Sequence, residues 1–209
     1  MSYVSSIKCW VSGEASGPLG FGNTSPGDFA EVAYDLDRIR ETVDRDALST
    51  RESSMWRYHE LLPLDDPENA ITLGEGWTPQ LSATRLASAI DVRTLWIKDE
   101  GRNPSGTFKD RGASASVSRL RELGIQTVVH NSSGNAGGSW AMYAARAGMK
   151  CVNLLPDDVL PASLQQSTLS GTDTYILDGP WKVAGGVVAD AGEVGASLVD
   201  RRQVDLEVT

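Results

Sequence analysis

The residues predict an α/β protein with a mostly parallel sheet, and two features carry that reading. From Thr94 onward, short apolar strands alternate with longer helical segments, and the helices close on glycines at Gly124, Gly148 and Gly171. Such alternation marks βαβ units, because a parallel strand is reached only through a crossover, usually a helix. No GxGxxG run follows any of these strands, which disfavours a dinucleotide-binding sheet.

Taken in order, residues 1–30 are rich in Gly, Ser and Pro and predict irregular structure. Leu36, Ile39 and Val43 recur at helical spacing behind Asp35, a capping residue, and predict a helix over 35–43. A second short helix is predicted through the run MWRYHELL (55–62), stopped by Pro63. The stretch 65–79, DDPENAITLGEGWTP, is turn-rich and ends in an extended Gly74–Pro79 segment. Leu95–Ile97 predicts a short buried strand, and the turn Asn103–Gly106 opens a helix from Thr107 to Leu123. Beyond Gly124 the pattern predicts strands at 126–130, 150–155 and 174–177, with helices at 136–147, 161–169 and 182–193. The glycine pair Gly137-Gly138 inside a helix points to close packing. Residues 195–209 lose the rhythm, so the sheet reads as incomplete.

Composition narrows the function classes. The 209 residues suffice for one large domain or two small ones, with 40% hydrophobic and 22% charged residues, as in ordinary globular chains. No apolar run approaches the roughly 18 residues of a membrane span, and MSYVSSIKCWVSGE lacks a signal-peptide core, so a cytoplasmic chain with no membrane partner is expected. The net charge of −9 argues against nucleic acid as partner. Asp and Glu number 17 and 11, against 5 Lys and 14 Arg, which reads as a halophilic surface on which dense carboxylates keep the chain soluble. Where lysine is scarce, each lysine is more apt to serve chemistry. Cys9 and Cys151 have no CxxC partners, so no metal site is expected, and Cys151 in CVNLLP reads as a buried structural thiol.

The segment Asn103-Pro-Ser-Gly-Thr-Phe-Lys109-Asp-Arg-Gly112 places a lysine in the first turn of a helix. The helix N-terminus carries a positive field of about half a charge, which disfavours an ammonium relative to a neutral amine. Burial pushes the same way. A lysine that attacks an aldehyde and later acts as a base needs that neutral form, so Lys109 is expected in a secluded pocket. Gly106 allows the tight turn, Ser105 or Thr107 can cap the helix, and Gly112, Ala113 and Ser114 keep a face small for a flat ligand. Further on, Ser132-Ser133-Gly134-Asn135-Ala136 follows a strand and opens a helix, where converging N–H groups suit a carboxylate or phosphate. The Asn135 amide could donate to a phenolic oxygen on a bound ring. A plain helix cap explains the serines as well.

Four segments together resemble the fold type II pyridoxal phosphate enzymes, whose architecture is three-layered and like that of the tryptophan synthase β chain. They are LGEGWTPQL (73–81), LWIKDEGRNPSGTFKDRGASASVSRLRELG (95–124), NSSGNAGGSWAMYAARAG (131–148) and the following LLP…LSGTDTYILDG. Within that class the threonine synthases are most similar. The resemblance implies pyridoxal 5′-phosphate as cofactor, with Lys109 as the amine that condenses with its aldehyde and Asn135 facing its phenolic oxygen. It also implies that Ser132, Ser133, Gly134 and Ala136 cradle the carboxylate of an amino-acid substrate. The implied reaction converts O-phosphohomoserine and water to threonine and phosphate, the cofactor ring serving as electron sink. A homodimer is among the assemblies it allows.

Departures from that family shape the remaining expectations. Many relatives open with a CxxC…CxxC zinc ribbon, of which only Cys9 remains, so residues 1–70 read as a degenerate ribbon region and 71–209 as the first half of a catalytic region. The glycine-rich loop for the cofactor phosphate is not recognisable; Gly185-Gly186 is a poor substitute. The chain reads as a truncated enzyme, cut near Gly195 by a frameshift. Alternatives are a serine/threonine dehydratase or cysteine synthase relative, and a catalytically inactive fragment. His59 reads as a surface helix residue, His130 as structural, Trp77 as packing, and Asp65-Asp66 and Asp157-Asp158 as solvated turns; the resemblance implies that Lys98 and Glu100 flank the site, and a solvated ion pair explains them nearly as well.

Overall fold

The structure, a computed structural model, describes residues 3–16, 30–132, 134–179, 183 and 185–188. Two compact units divide after Leu123.

In the first unit, the described ends of the segment expected to be irregular enter an antiparallel sheet in the order β2-β1-β3, from β1 (Val4–Cys9), β2 (Ala15–Ser16) and β3 (Ala30–Tyr34), while the Gly/Ser/Pro-rich residues 17–29 lie outside the described residues. The strand VSSIKC buries only its ends, Val4 and Cys9, so it shows no clean alternation by which a strand is recognised. Helix α1 (Leu36–Thr42) forms where the apolar spacing predicted it, and Asp35 caps it by accepting from the Arg38 N–H at 3.0 Å. A short α2 (Arg45–Thr50) follows. Residues Met55–Leu61 are not an α-helix but a 3-10 turn with a break at Tyr58. Its apolar face supplies Met55 and Trp56, which form a small core with Leu64, flanked by Leu62, Ala70 and Ala115.

The strands β4 (Gln80–Ser82) and β5 (Trp96–Lys98) pair with each other antiparallel, flanking α3 (Thr84–Ala89). The strand at 95–97 was expected to be buried; instead Trp96 and Ile97 stand 53% and 46% exposed. The apolar run signals a strand correctly, but among the described residues β5 has β4 as its only strand neighbour, and a two-stranded ribbon encloses neither face. Then α4 (Lys109–Glu122) runs to Gly124. Its far end is tied to the turn at 65–69, where Glu122 accepts from the N–H groups of Asp65 and Asp66, and Arg119 bridges Glu122 and Asp65. The acidic pair there is thus anchored rather than freely solvated.

The second unit is the predicted parallel sheet, in the order β6-β7-β8: β6 (Thr127–Asn131), β7 (Lys150–Pro156) and β8 (Asp173–Leu177). The crossovers are α5 (Asn135–Ala147) and α6 (Pro161–Leu169). Central β7 carries Cys151, Asn153, Leu154, Leu155 and Pro156 inward, a near-continuous buried run as a two-sided strand requires. Helix α5 packs Ala141, Tyr143 and Ala144 inside and ends at left-handed Gly148. Gly138 confirms the close approach read from the sequence: a Cβ there would lie 2.3 Å from Gln166 Oε1 on α6. Burial pushes the Cys151 thiol up to about 11, the expected inert state. Residues 183 and 185–188 are helical within the predicted 182–193 span; the rest of that span and the tail lie outside the described residues.

Candidate active site

Lys109 is the first residue of α4, and its N–H donates to Thr107 Oγ1 at 3.1 Å, the capping role expected of that threonine. Gly106 has φ +82°, a conformation that allows the tight turn before it. Asp110 is fully buried and accepts the Ser105 N–H at 2.7 Å, locking turn to helix. The lysine side chain itself is exposed, with Nζ 4.7 Å from the centroid of the Phe108 ring, which is 58% exposed. The secluded pocket expected around it is therefore not formed by the described residues. The physical reason is local: the ring beside the amine, Phe108, is itself exposed and shields it from no side.

Around this turn the structure shows a polar brace that motif reading missed. Glu100 accepts two hydrogen bonds from Arg111, Nε to Oε2 at 2.7 Å and Nη2 to Oε1 at 2.8 Å, and a third from Thr78 Oγ1 at 2.7 Å. Asn103 Nδ2 adds a fourth at 3.0 Å. These hydrogen bonds, led by Arg111, hold the Glu100 carboxyl down at about 2. Lys98 does not pair with Glu100; its Nζ donates to the Thr78 carbonyl. Gly76 N–H donates to Asn103 Oδ1 at 3.0 Å, and with φ +93° and Met55 N at 2.6 Å from a hypothetical Cβ, only glycine fits there. Trp77 follows at φ +50°, rare for an aromatic residue, with its ring 59% exposed and the Arg57 guanidinium 4.1 Å above it.

The small face proposed for Gly112, Ala113 and Ser114 divides. Gly112 is open, whereas Ala113 and Ser114 are buried. The Ser114 hydroxyl bonds to Glu75 Oε1 and the Ile71 carbonyl, and Trp56 Nε1 reaches Glu75 Oε1 at 2.9 Å. Glu75, in the centre of LGEGWTP, is thus a structural acid; a lone carboxylate in a turn has no periodicity by which sequence could find it.

In the second unit, the loop at 132–136 opens α5 as predicted. Ser132 is buried, and its Oγ accepts from Gly134 N at 3.1 Å and Gly137 N at 2.9 Å while donating to the Gly134 carbonyl at 3.0 Å. The plain capping reading of that serine describes the contacts seen. Asn153, fully buried on β7, donates to the Gly137 carbonyl at 2.9 Å and fixes the same helix start from below. Asn135 is exposed; Gly134 and Ala136 are half-buried, and Ser133 lies outside the described residues. His130 stacks on Trp140 at 5.1 Å, the structural role expected of it. His59 is partly exposed beside Glu60. Among the described residues, no three His, Cys, Asp or Glu side chains gather to hold a metal, and no helix is long and apolar enough to cross a membrane.

Comparison with known proteins adds to this geometry. Residues 71–202 match the family described as pyridoxal-phosphate dependent enzyme. The chain is 41% identical over 154 residues to a threonine synthase of Methanocaldococcus jannaschii, covering 73% of this chain and 38% of that protein. A threonine synthase of Methanosarcina acetivorans is 41% identical over 150 residues, covering 71% and 36%. Maize serine racemase superposes with a TM-score of 0.51 at 25% identity, over 56% of this chain and 36% of that one. The chain therefore spans 36–38% of the length of these relatives. The α/β fold with its parallel sheet is that of the fold type II enzymes, present in part. This chain belongs to the family of pyridoxal-phosphate dependent enzymes.

Proposed function

We propose that the chain carries the amine-bearing portion of a threonine synthase-like lyase, acting on O-phosphohomoserine and water to give threonine and phosphate. The observation that carries the reading is Lys109, set at the start of α4 within the family-matched segment, with no hydrogen-bond or ion-pair partner for its amine among the described residues. Such an amine fits an aldehyde cofactor. When bound, pyridoxal phosphate would supply an electron sink for carbanion chemistry. Lys109 Nζ would be the residue that holds the aldehyde of that group, and a lysine amine so placed could also move a proton on the substrate. By resemblance, Asn135 would hydrogen-bond the cofactor ring, and Ser132, Ser133, Gly134 and Ala136 would hold the substrate carboxylate. Because Ser132 Oγ already serves the α5 cap, its share would come from the backbone.

A second reading, a catalytically inactive chain, is supported by the exposure of Lys109. Borohydride reduction of the chain with pyridoxal phosphate, followed by peptide mapping, separates the two. The expected result is weak, substoichiometric binding, with the trapped adduct on the peptide containing Lys109. Absence of that adduct leaves the inactive reading. Stoichiometric, tight binding would instead indicate a site completed by a second chain. Turnover assays with O-phosphohomoserine against serine, threonine and O-acetylserine then distinguish a threonine synthase from a dehydratase or cysteine synthase relative.

A further inference from the structure

Glu100 receives hydrogen bonds from three segments at once: Thr78 in the loop 74–79, Asn103 in the turn before the lysine, and Arg111 on α4. Four donors fill what a carboxylate can accept. The same segments are joined twice more, through Gly76 N to Asn103 Oδ1 and through Arg111 Nη2 to Thr78 Oγ1 at 3.3 Å. Arg111 lies two residues beyond Lys109, and its planar guanidinium is gripped at two nitrogens, a geometry that fixes direction as well as distance. An ordinary surface ion pair, with one contact between two flexible side chains, has none of this convergence.

We propose that Glu100 is a positioning residue for Lys109: it ties the first turn of α4 to the loop 74–79 and so fixes where the exposed amine stands. The proposal rests on the reading of Lys109 as the reacting amine. Thr78 and Arg111 are its two arms, one neutral and one charged. The lysine does not touch the brace, so the effect passes through the backbone of the turn.

The test uses the full chain and pyridoxal phosphate, reading the borohydride-trapped adduct at each lysine by mass mapping. The informative quantity is the preference for Lys109 over Lys8 and Lys150, because a general loss of stability raises labelling at every lysine alike. The unsubstituted chain is expected to prefer Lys109, and Glu100→Gln to lower that preference about tenfold, as displacement of a reacting group of about 1 Å readily does. Thr78→Val is expected to act in the same direction but less, and serves alone should E100Q fail to fold. Asp37→Asn removes an exposed ion pair with Arg40 and is expected to change nothing. A preference for Lys109 that survives in E100Q, or in T78V where only that variant folds, overturns the proposal alone. No preference in the unsubstituted chain overturns the functional reading and the proposal with it.

Discussion

Glu75 and Glu100 stand on the same loop-and-turn assembly but in opposite environments, and their substitutions should behave differently. Glu75 is fully buried, with its oxygens taken by Trp56 Nε1, Ser114 Oγ, Thr72 Oγ1 and the Leu73 N–H. Glu75→Ala leaves several buried donors without their acceptor and is expected to cost about 1–3 kcal/mol in urea unfolding, independent of the cofactor. Glu100 is partly exposed, so solvent screens its ion pair, and the expected cost of E100Q is nearer 1 kcal/mol. Its pH signature is sharper. The folded carboxyl is lowered from 4.5 to about 2, chiefly by Arg111, so its contribution is present above the unfolded value and is lost as pH falls through the folded one. The urea midpoint of the unsubstituted chain should therefore fall between pH 4.5 and about 2 by an increment that E100Q lacks. Equal acid slopes in the two proteins would show that the Arg111 contact does not persist in solution.

The loop 74–79 and the α5–α6 contact each depend on a glycine, and the two contacts differ in what can yield. A methyl at Gly76 meets the Met55 backbone nitrogen at 2.6 Å and must adopt φ +93°. At Gly138 the obstacle is the flexible end of Gln166. Gly76→Ala is expected to destabilise by about 2 kcal/mol or more, and Gly138→Ala by clearly less, since Gln166 can swing aside; thermal unfolding of the pair checks the ranking. The same contrast explains what sequence could show. The β6–α5–β7–α6–β8 series was legible because apolar strands, alanine-rich helical runs and terminal glycines each signal locally. Lys109 at a helix start was legible for the same reason. Burial was not: LWI reads as a core strand, but its exposure depends on what lies across from it, which no local pattern encodes. The brace was equally hidden, because Thr78, Glu100 and Arg111 lie far apart in the chain and meet only through the fold.

Two properties of the chain as a whole act against each other. Its net charge of −9 repels neighbouring copies, while the family-matched segment exposes Leu81, Leu86, Ile90, Trp96, Ile97 and Phe108. Apolar side chains left exposed in such number favour association, and the charge opposes it at low salt. At about 1 M salt the screening length falls to about 3 Å, so the repulsion between copies is removed while the apolar attraction is undiminished. Light scattering is therefore expected to show association growing with KCl, and Trp96→Ser with Ile97→Ser together should reduce it. If the Asp-rich, Lys-poor composition is an adaptation to salt, the thermal midpoint should climb over the same range, because carboxylate repulsion within one chain is screened as well. The double substitution separates the two effects: it should abolish much of the association while leaving the rise in midpoint, since it removes apolar surface and no charge. A midpoint indifferent to KCl would mark the composition as merely acidic, and a chain monomeric at every salt concentration would mean that the exposed ribbon is covered in solution.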